Sequence, residues 1–206
     1  MDTKERILQK AAEQFLRLGI RSVSMDDIAG VLGVSKKTIY QYFSDKEMLV
    51  DAVMQLEEER MHHDCSRCAA VAQDAIEEIF LIMRQINDQF SQMNPVILFD
   101  LEKFHPRVFQ RFLNMKNNFL LNVIRANIQR GMAEGLYRPE INVDVISKYR
   151  LESTMLPFNL TLFPPGKYNL ADVTRELTEH FLFGLATLKG HKLILKYKEQ
   201  LNKNQS

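Results

Sequence analysis

The sequence predicts an all-α protein in which a helix-turn-helix unit over residues 1–60 precedes a longer helical bundle over residues 61–206. Three observations carry that reading. Apolar residues recur three and four positions apart, as in Ile7, Ala11, Phe15 and Leu18, which is the period of one helix face. Serines at 24, 35 and 44 stand where hydroxyl caps open helices. The apolar-polar alternation of a half-buried strand stands out nowhere.

The elements follow in order. The first helix carries Ile7, Leu8, Ala11, Ala12, Phe15 and Leu18 and ends at Gly19, a residue that tolerates the left-handed backbone of a helix terminus. Ser24, with Asp27 three positions on, caps a second helix running to about Leu32. Gly33 and Val34 make the turn, and Ser35 caps a short third helix, Lys36 to Tyr42. Ser44 and Glu47 form an S-x-x-E capping box that opens a fourth. From about Ala70 the stripes lengthen, with Ile76, Ile79, Phe80, Met83, Ile86 and Phe90, then Phe112, Met115, Phe119 and Val123, as in helices packed into a bundle. Pro95 and Pro106 mark helix starts, and GLYRPEIN, Gly135 to Asn142, reads as a loop. Asp144 to Leu162 and Leu170 to Lys189 are the last two major helices, separated by FPPG, and Pro157 kinks or breaks the earlier one. The terminal KYKEQLNKNQS is polar and expected to fray.

Composition bounds the function. With 206 residues the chain can build its core without staples. Cys65 and Cys68 are the two cysteines, too few for a secreted disulfide scaffold, so a reducing compartment fits. MDTKERILQK lacks the apolar run of a signal peptide, and no segment approaches the roughly 18 apolar residues of a membrane span. A cytoplasmic location without membrane association is expected. The formal net charge of +1 requires that any nucleic-acid face be positive locally rather than globally.

The segment SMDDIAGVLGVSKKTIYQYFSDKEML, Ser24 to Leu49, resembles the DNA-binding motif of the TetR/AcrR family of transcriptional regulators. The resemblance lies in the hydroxyl residue before the second helix, Ile28-Ala29, Gly33-Val34-Ser35, Thr38-Ile39-Tyr40, Tyr42-Phe43 and Lys46-Glu47 with Leu49. Softer similarities follow in FDLEKFHP, GLYRPEI and LFGLATLKG. The resemblance implies a homodimer with two amino-terminal reading heads and a carboxy-terminal domain for dimerisation and ligand binding. It further implies a repressor on a palindromic double-stranded DNA operator, released by a small-molecule inducer. Under it, Thr38, Tyr40, Tyr42 and Lys46 become backbone clamps, and Lys36, Lys37 and Gln41 candidates for base contact.

The residues divide in the same way on physical grounds. Ile28, Ala29, Leu32, Val34, Ile39 and Phe43 are expected to pack on Ile7, Ala11 and Phe15 and so fix the angle between the two helices of the motif. Lys36, Lys37, Thr38, Tyr40 and Tyr42 carry donors for phosphates and base edges on the other side, and the start of the short helix adds amide groups. Ser24 and Ser35, at the two helix starts, complete the expected DNA-binding set. The competing reading makes the tyrosines snorkelling core residues and the lysines a solvated face. Residues 35 to 46 hold Lys36, Lys37 and Lys46 against Asp45, so each protomer makes few ionic contacts and a second head must supply affinity.

Beyond the motif, Val173, Leu177, Phe181, Leu185 and Leu188 form a stripe expected at a dimer interface, with Gly184 permitting close approach, unless one protomer buries it. A ligand pocket is expected among Phe80, Met83, Arg84, Asn87, Phe99, Phe104, Phe119, Tyr149 and Met155, although such stripes are also ordinary core. HHDCSRC offers His62, His63, Cys65 and Cys68 to a redox or metal sensor, but the second cysteine pair of a zinc motif is missing. Met61, Cys65, Cys68 and Ala72 also share one helical face, which suits small core residues. No cofactor and no enzyme are expected, since phosphate loops, nucleophile elbows and zinc-hydrolase signatures do not occur, and His105 beside Pro106 suits a helix start. A helical module binding only protein is the remaining alternative, and it leaves the spaced motif unexplained.

Overall fold

Three short polar side chains start the first three helices. Asp2 accepts from the amide of Glu5 at 2.8 Å and opens α1, Thr3–Leu18. Ser24 accepts from the amide of Asp27 at 3.1 Å and opens α2, Met25–Leu32. Ser35 accepts from the amide of Thr38 at 3.1 Å and opens α3, Lys36–Tyr42. Each satisfies an amide that the first helical turn leaves without an internal acceptor. The fourth helix departs from expectation. Asp45, not Ser44, caps α4, Lys46–Val71, by accepting from the amide of Met48 at 2.8 Å. Ser44 donates its hydroxyl to Asp45, and Glu47 turns to His105 instead of closing a capping box. A carboxylate one residue nearer the helix accepts a stronger, charge-assisted bond at a favourable end of the helix dipole.

The computed structural model describes the backbone of residues 2–204 and the side chains through residue 200. After α4 come α5, Ala75–Phe90, α6, Val96–Phe104, and α7, Pro106–Met115, which runs into a π turn, Lys116–Leu120. The chain continues through α8, Leu121–Ala133, α9, Val143–Ser153, a 3-10 turn at Leu156–Phe158, α10, Leu170–Leu185, and α11, Leu188–Asn204. Among the described residues there is no strand, only the isolated bridges Tyr137 with Ala186 and Pro165 with Tyr168.

Two units divide the chain. The first takes residues up to His62 together with Gln92 to Met115; the second takes His63 to Ser91 and the chain from Lys116 onward. The helices α6 and α7 thus group with the amino-terminal helices rather than with a bundle over 61–206. The turn after α1 explains their placement. The Gly19 backbone, at φ +86°, lies so close to α6 that a Cβ there would come within 2.7 Å of Val96. Asp100 accepts from the amide of Arg21 at 2.9 Å, and the Asn94 amide donates to the Leu16 carbonyl at 2.7 Å. Arg111 of α7 pairs with Asp51 and also donates to its carbonyl at 2.8 Å.

In the second unit Ile76, Phe80, Ile128, Tyr137, Leu182 and Ile194 are among the residues that form the core. Tyr137 lies in the loop after α8 but is fully buried, and its hydroxyl donates to Asn127 Oδ1 at 3.2 Å. Its ring fills the space beside Gly131, where a Cβ would stand 2.1 Å from a ring carbon.

Pro157 breaks the helix as expected. The α9 helix ends at Ser153, and only the short turn at Leu156–Phe158 follows, so no helix reaches Leu162. The helix expected over Leu170 to Lys189 stops at Leu185. There the Leu185 carbonyl accepts from the Arg138 amide at 2.9 Å, and the Thr187 amide donates to Leu136 at 2.9 Å. A new helix then runs through the segment expected to fray as far as Asn204, because Tyr197 is buried and donates to Asp74 at 2.8 Å. Gln205 and Ser206 lie outside the described residues.

Candidate nucleic-acid interface

The turn between α2 and α3 rests on Gly33, whose φ of +68° is the left-handed conformation that ends a helix. Its amide donates back to Ala29 and Gly30 and closes the last turn of α2. Ile28, Ala29, Ile39 and Phe43 are buried with Ile7, Ala11 and Phe15, so the inner side of α3 is locked into the three-helix core. Leu32 and Val34, expected in the same core, are half-buried. On the outer side Lys36, Lys37, Tyr40, Gln41 and Tyr42 are all exposed on one helix of seven residues. Two large rings on this short helix, Tyr40 and Tyr42, are 49% and 41% exposed.

The polar groups at the edges of this face are already engaged. Ser24 donates its hydroxyl to Asp27 Oδ2 at 2.6 Å, and these bonds hold the Asp27 carboxyl below the usual range. Ser35 Oγ lies 2.9 Å from Thr38 Oγ1 and accepts from the Thr38 amide, so that amide is not free at the helix start. Lys36 forms an ion pair with Asp26 of α2, which raises its pKa. Lys46 is half-buried, with its ammonium 5.9 Å from the centre of the Phe15 ring. Burial lowers its pKa, while Asp100 and Asp27 act in the opposite direction. The pairing of Lys36 and the cover over Lys46 were not legible in the motif, since the first depends on how α3 meets α2 and the second on how the start of α4 meets α1.

The other expected sites distribute differently. Met83, Arg84 and Asn87 line a cleft of about 100 Å³ among α5, α9 and α10. Phe80 is core, with its ring 5.6 Å from that of Tyr197. Phe99 and Phe104 are exposed on α6 in the first unit. Phe119 and Met155 are half-buried away from the cleft lining, and Tyr149 is exposed, 6.4 Å from the Phe181 ring. A single cavity lined by all of these residues is therefore not formed. The cleft also holds Arg150, which sequence periodicity did not single out.

Val173, Phe181 and Leu185 of the expected dimer stripe are buried in their own protomer, and Leu177 is half-buried. Gly184 is exposed with open space beside it, and Leu188 stands on α11, 87% exposed. Most of the stripe is intramolecular core, because α10 packs on α5 and α11.

Cys65 and Cys68 sit one turn apart on α4. Burial pushes both thiols up, Cys65 to about 11, which disfavours the thiolate form. His63 is exposed 3.6 Å from Asp64. Neither histidine joins the cysteines in a metal-sized cluster, since no group of three or more His, Cys, Asp or Glu side chains converges among the described residues.

Known proteins share this architecture. Residues 7–53 match the family described as bacterial regulatory proteins, tetR family. The chain is similar to the HTH-type transcriptional repressor KstR2 of Mycolicibacterium smegmatis, with 21% identity over 198 residues, 92% of this chain and 93% of that protein. It is 24% identical over 159 residues to the HTH-type transcriptional regulator UidR of Escherichia coli K12, covering 74% of this chain and 78% of that one. A TetR-family regulator from Marinobacter aquaeolei has the same fold, with a TM-score of 0.73 at 18% identity over 97% of this chain and 98% of that one. A second, from Agrobacterium tumefaciens, has a TM-score of 0.74 at 16% identity over 89% and 97%. Residues 7–53 thus carry the amino-terminal domain of the tetR family of bacterial regulatory proteins, and the chain as a whole is similar to HTH-type transcriptional regulators and has the fold of TetR-family structures.

Proposed function

We propose that the protein is a homodimeric repressor that reads a palindromic DNA operator through α3 and leaves it when a small ligand binds. The observation that carries this reading is the single exposed face of Lys37, Tyr40, Gln41 and Tyr42, held by a buried Ile39 behind it. Tyr40 and Tyr42 suit phosphate contacts, with Thr38 alongside, while Lys37 and Gln41 suit base edges, joined by Lys36 when it leaves Asp26. Ser24 and Ser35 serve the face by fixing the starts of α2 and α3. Lys46 reaches a phosphate only by moving off the Phe15 ring. A regulator of this kind works in the cytoplasm, where the DNA is.

Repression is supported by KstR2, a transcriptional repressor to which nearly the whole chain is similar. A second copy is supported by the small positive charge of α3, which gives one head little affinity unless a second is linked to it. Exposed Leu188 and Leu195 on α11 offer apolar surface for that copy. A releasing ligand must prefer a state whose two heads no longer match successive major grooves.

Fluorescence anisotropy with duplexes flanking the protein's own gene, combined with sedimentation of the complex, tests the reading. Two protomers per duplex and an affinity that falls steeply with salt are expected. Absence of any sequence-specific binding at low salt contradicts it and favours a protein-binding module.

A further inference from the structure

Arg150 is a cation without an acid. Several other arginines meet carboxylates: Arg111 meets Asp51, Arg125 Asp144, Arg130 Glu134 and Arg175 Asp172. Among the described residues no carboxylate lies within ion-pair distance of Arg150. Its Nη2 donates to Thr178 Oγ1 at 2.8 Å, and its guanidinium stands 5.0 Å from the centre of the Phe181 ring. Burial lowers its pKa to about 10. A cation drawn from water without a counter-ion is unfavourable for the fold, and an anion that docks from solution reverses that penalty.

The surroundings define what kind of anion fits. Thr178 is fully buried, and its hydroxyl donates onward to the Thr174 carbonyl at 2.7 Å, so its remaining role is to accept from and orient Arg150. One hydrogen bond fixes one edge of the guanidinium and leaves its other donors for a bidentate carboxylate. The cleft beside it is lined by Ile79, Met83 and Ile86, an apolar wall. Arg84 and Asp88 stand on the same helix with opposite formal charges, and Arg175 is held by Asp172. Counted formally with Asp172, these side chains and Arg150 leave one net positive charge at the cleft, which suits a monoanion better than a phosphate dianion.

We propose that the α5–α9–α10 cleft takes an amphipathic monocarboxylate, with its carboxylate on Arg150 and its apolar body along Ile79, Met83 and Ile86. Resting on the regulator reading above, this names the chemical class of the releasing ligand. A volume of about 100 Å³ seats the head group and first carbons. A longer body must widen the cleft, since pockets for whole drug-sized ligands measure roughly 300–1,000 Å³.

The test uses the full chain, with octanoate and phenylacetate as probes, octanamide and phenylacetamide as uncharged counterparts, and inorganic phosphate as a bare anion. Melting curves and calorimetric titration should show binding of the two acids and not of the amides. Arg150→Met should weaken acid binding by about tenfold or more. The same substitution should hold or raise the melting temperature of the ligand-free protein, because it removes an unpaired cation. Equal binding of acids and amides, undiminished binding by Arg150→Met, phosphate binding as tight as octanoate, or no binding of either acid overturns the proposal. Should Arg150→Met fail to fold, the acid–amide comparison on the unaltered protein decides alone. Acid binding that leaves DNA affinity unchanged keeps the site and removes ligand release. Release of DNA by an uncharged compound that persists in Arg150→Met does the reverse.

Discussion

Lys36 and Asp26 form an ion pair that ties the first residue of α3 to the first turn of α2. The pair holds a lysine of the proposed DNA face against a carboxylate of its own protein. Phosphate must compete with Asp26 for that ammonium, and Asp26 also repels the duplex. Asp26→Asn should therefore tighten operator binding at low salt by about two- to fivefold, the scale of one exposed ion pair. The gain should shrink as salt screens it. Anisotropy titrations at two ionic strengths check this; weaker binding by Asp26→Asn would show that the pair positions Lys36 instead.

Ser24 and Asp27 give a second prediction. The Asp27 carboxyl lies below its ordinary value of 3.8 in the folded protein because Ser24 hydrogen-bonds to it through its hydroxyl and amide. A depressed carboxyl pKa contributes stability that is complete above the unfolded value and is lost as pH falls through the folded one. Asp27→Asn should melt at a lower temperature than the parent at pH 7, and the gap should begin to close below about pH 4. A gap that does not change with pH would assign the loss to packing. Ser24→Ala, which removes the cap itself, should cost about 1 kcal/mol in denaturant unfolding.

Gly131 and Tyr137 supply the third. Alanine on a helix is favoured over glycine by roughly 1 kcal/mol, but here the new methyl would stand 2.1 Å from a ring carbon of Tyr137. That ring is fully buried and tethered through its hydroxyl, so it cannot swing aside. Overpacking of this kind costs about 1–3 kcal/mol, and Gly131→Ala should be net destabilising in urea unfolding. Gly184→Ala, with nothing near its Cβ position, should gain roughly 0.5–1 kcal/mol. A loss at Gly184 would place a second copy against it.

How far the sequence reached follows from which interactions are local. The starts of α2 and α3, the Gly33 turn, the buried Ile39 and the break at Pro157 depend on residues within a few positions, and all were legible. The placement of α6 and α7, the capture of Tyr137 by the core and the continuation of α11 depend on partners far along the chain, such as Asp100 for Arg21 and Asp74 for Tyr197. The same divide separates the exposed face of α3, visible as alternating apolar and polar residues, from Arg150, whose missing acid no spacing reveals. Val173, Phe181 and Leu185 show the limit of a stripe: periodicity marks a buried face without saying which chain buries it.

The claim at the centre is that α3 carries two separable sides, one for the fold and one for DNA. Ile39 is fully buried, and Ile39→Ala should cost about 2–5 kcal/mol of stability. Tyr42 is exposed, and removing its ring should leave the melting temperature within error of the parent. The most direct measurement is the dissociation constant of Tyr42→Ala for the operator duplex, taken beside its melting curve. The expected result is binding weakened by about tenfold or more with an unchanged melting temperature. Undiminished operator binding by a folded Tyr42→Ala would contradict the assignment of this face to DNA.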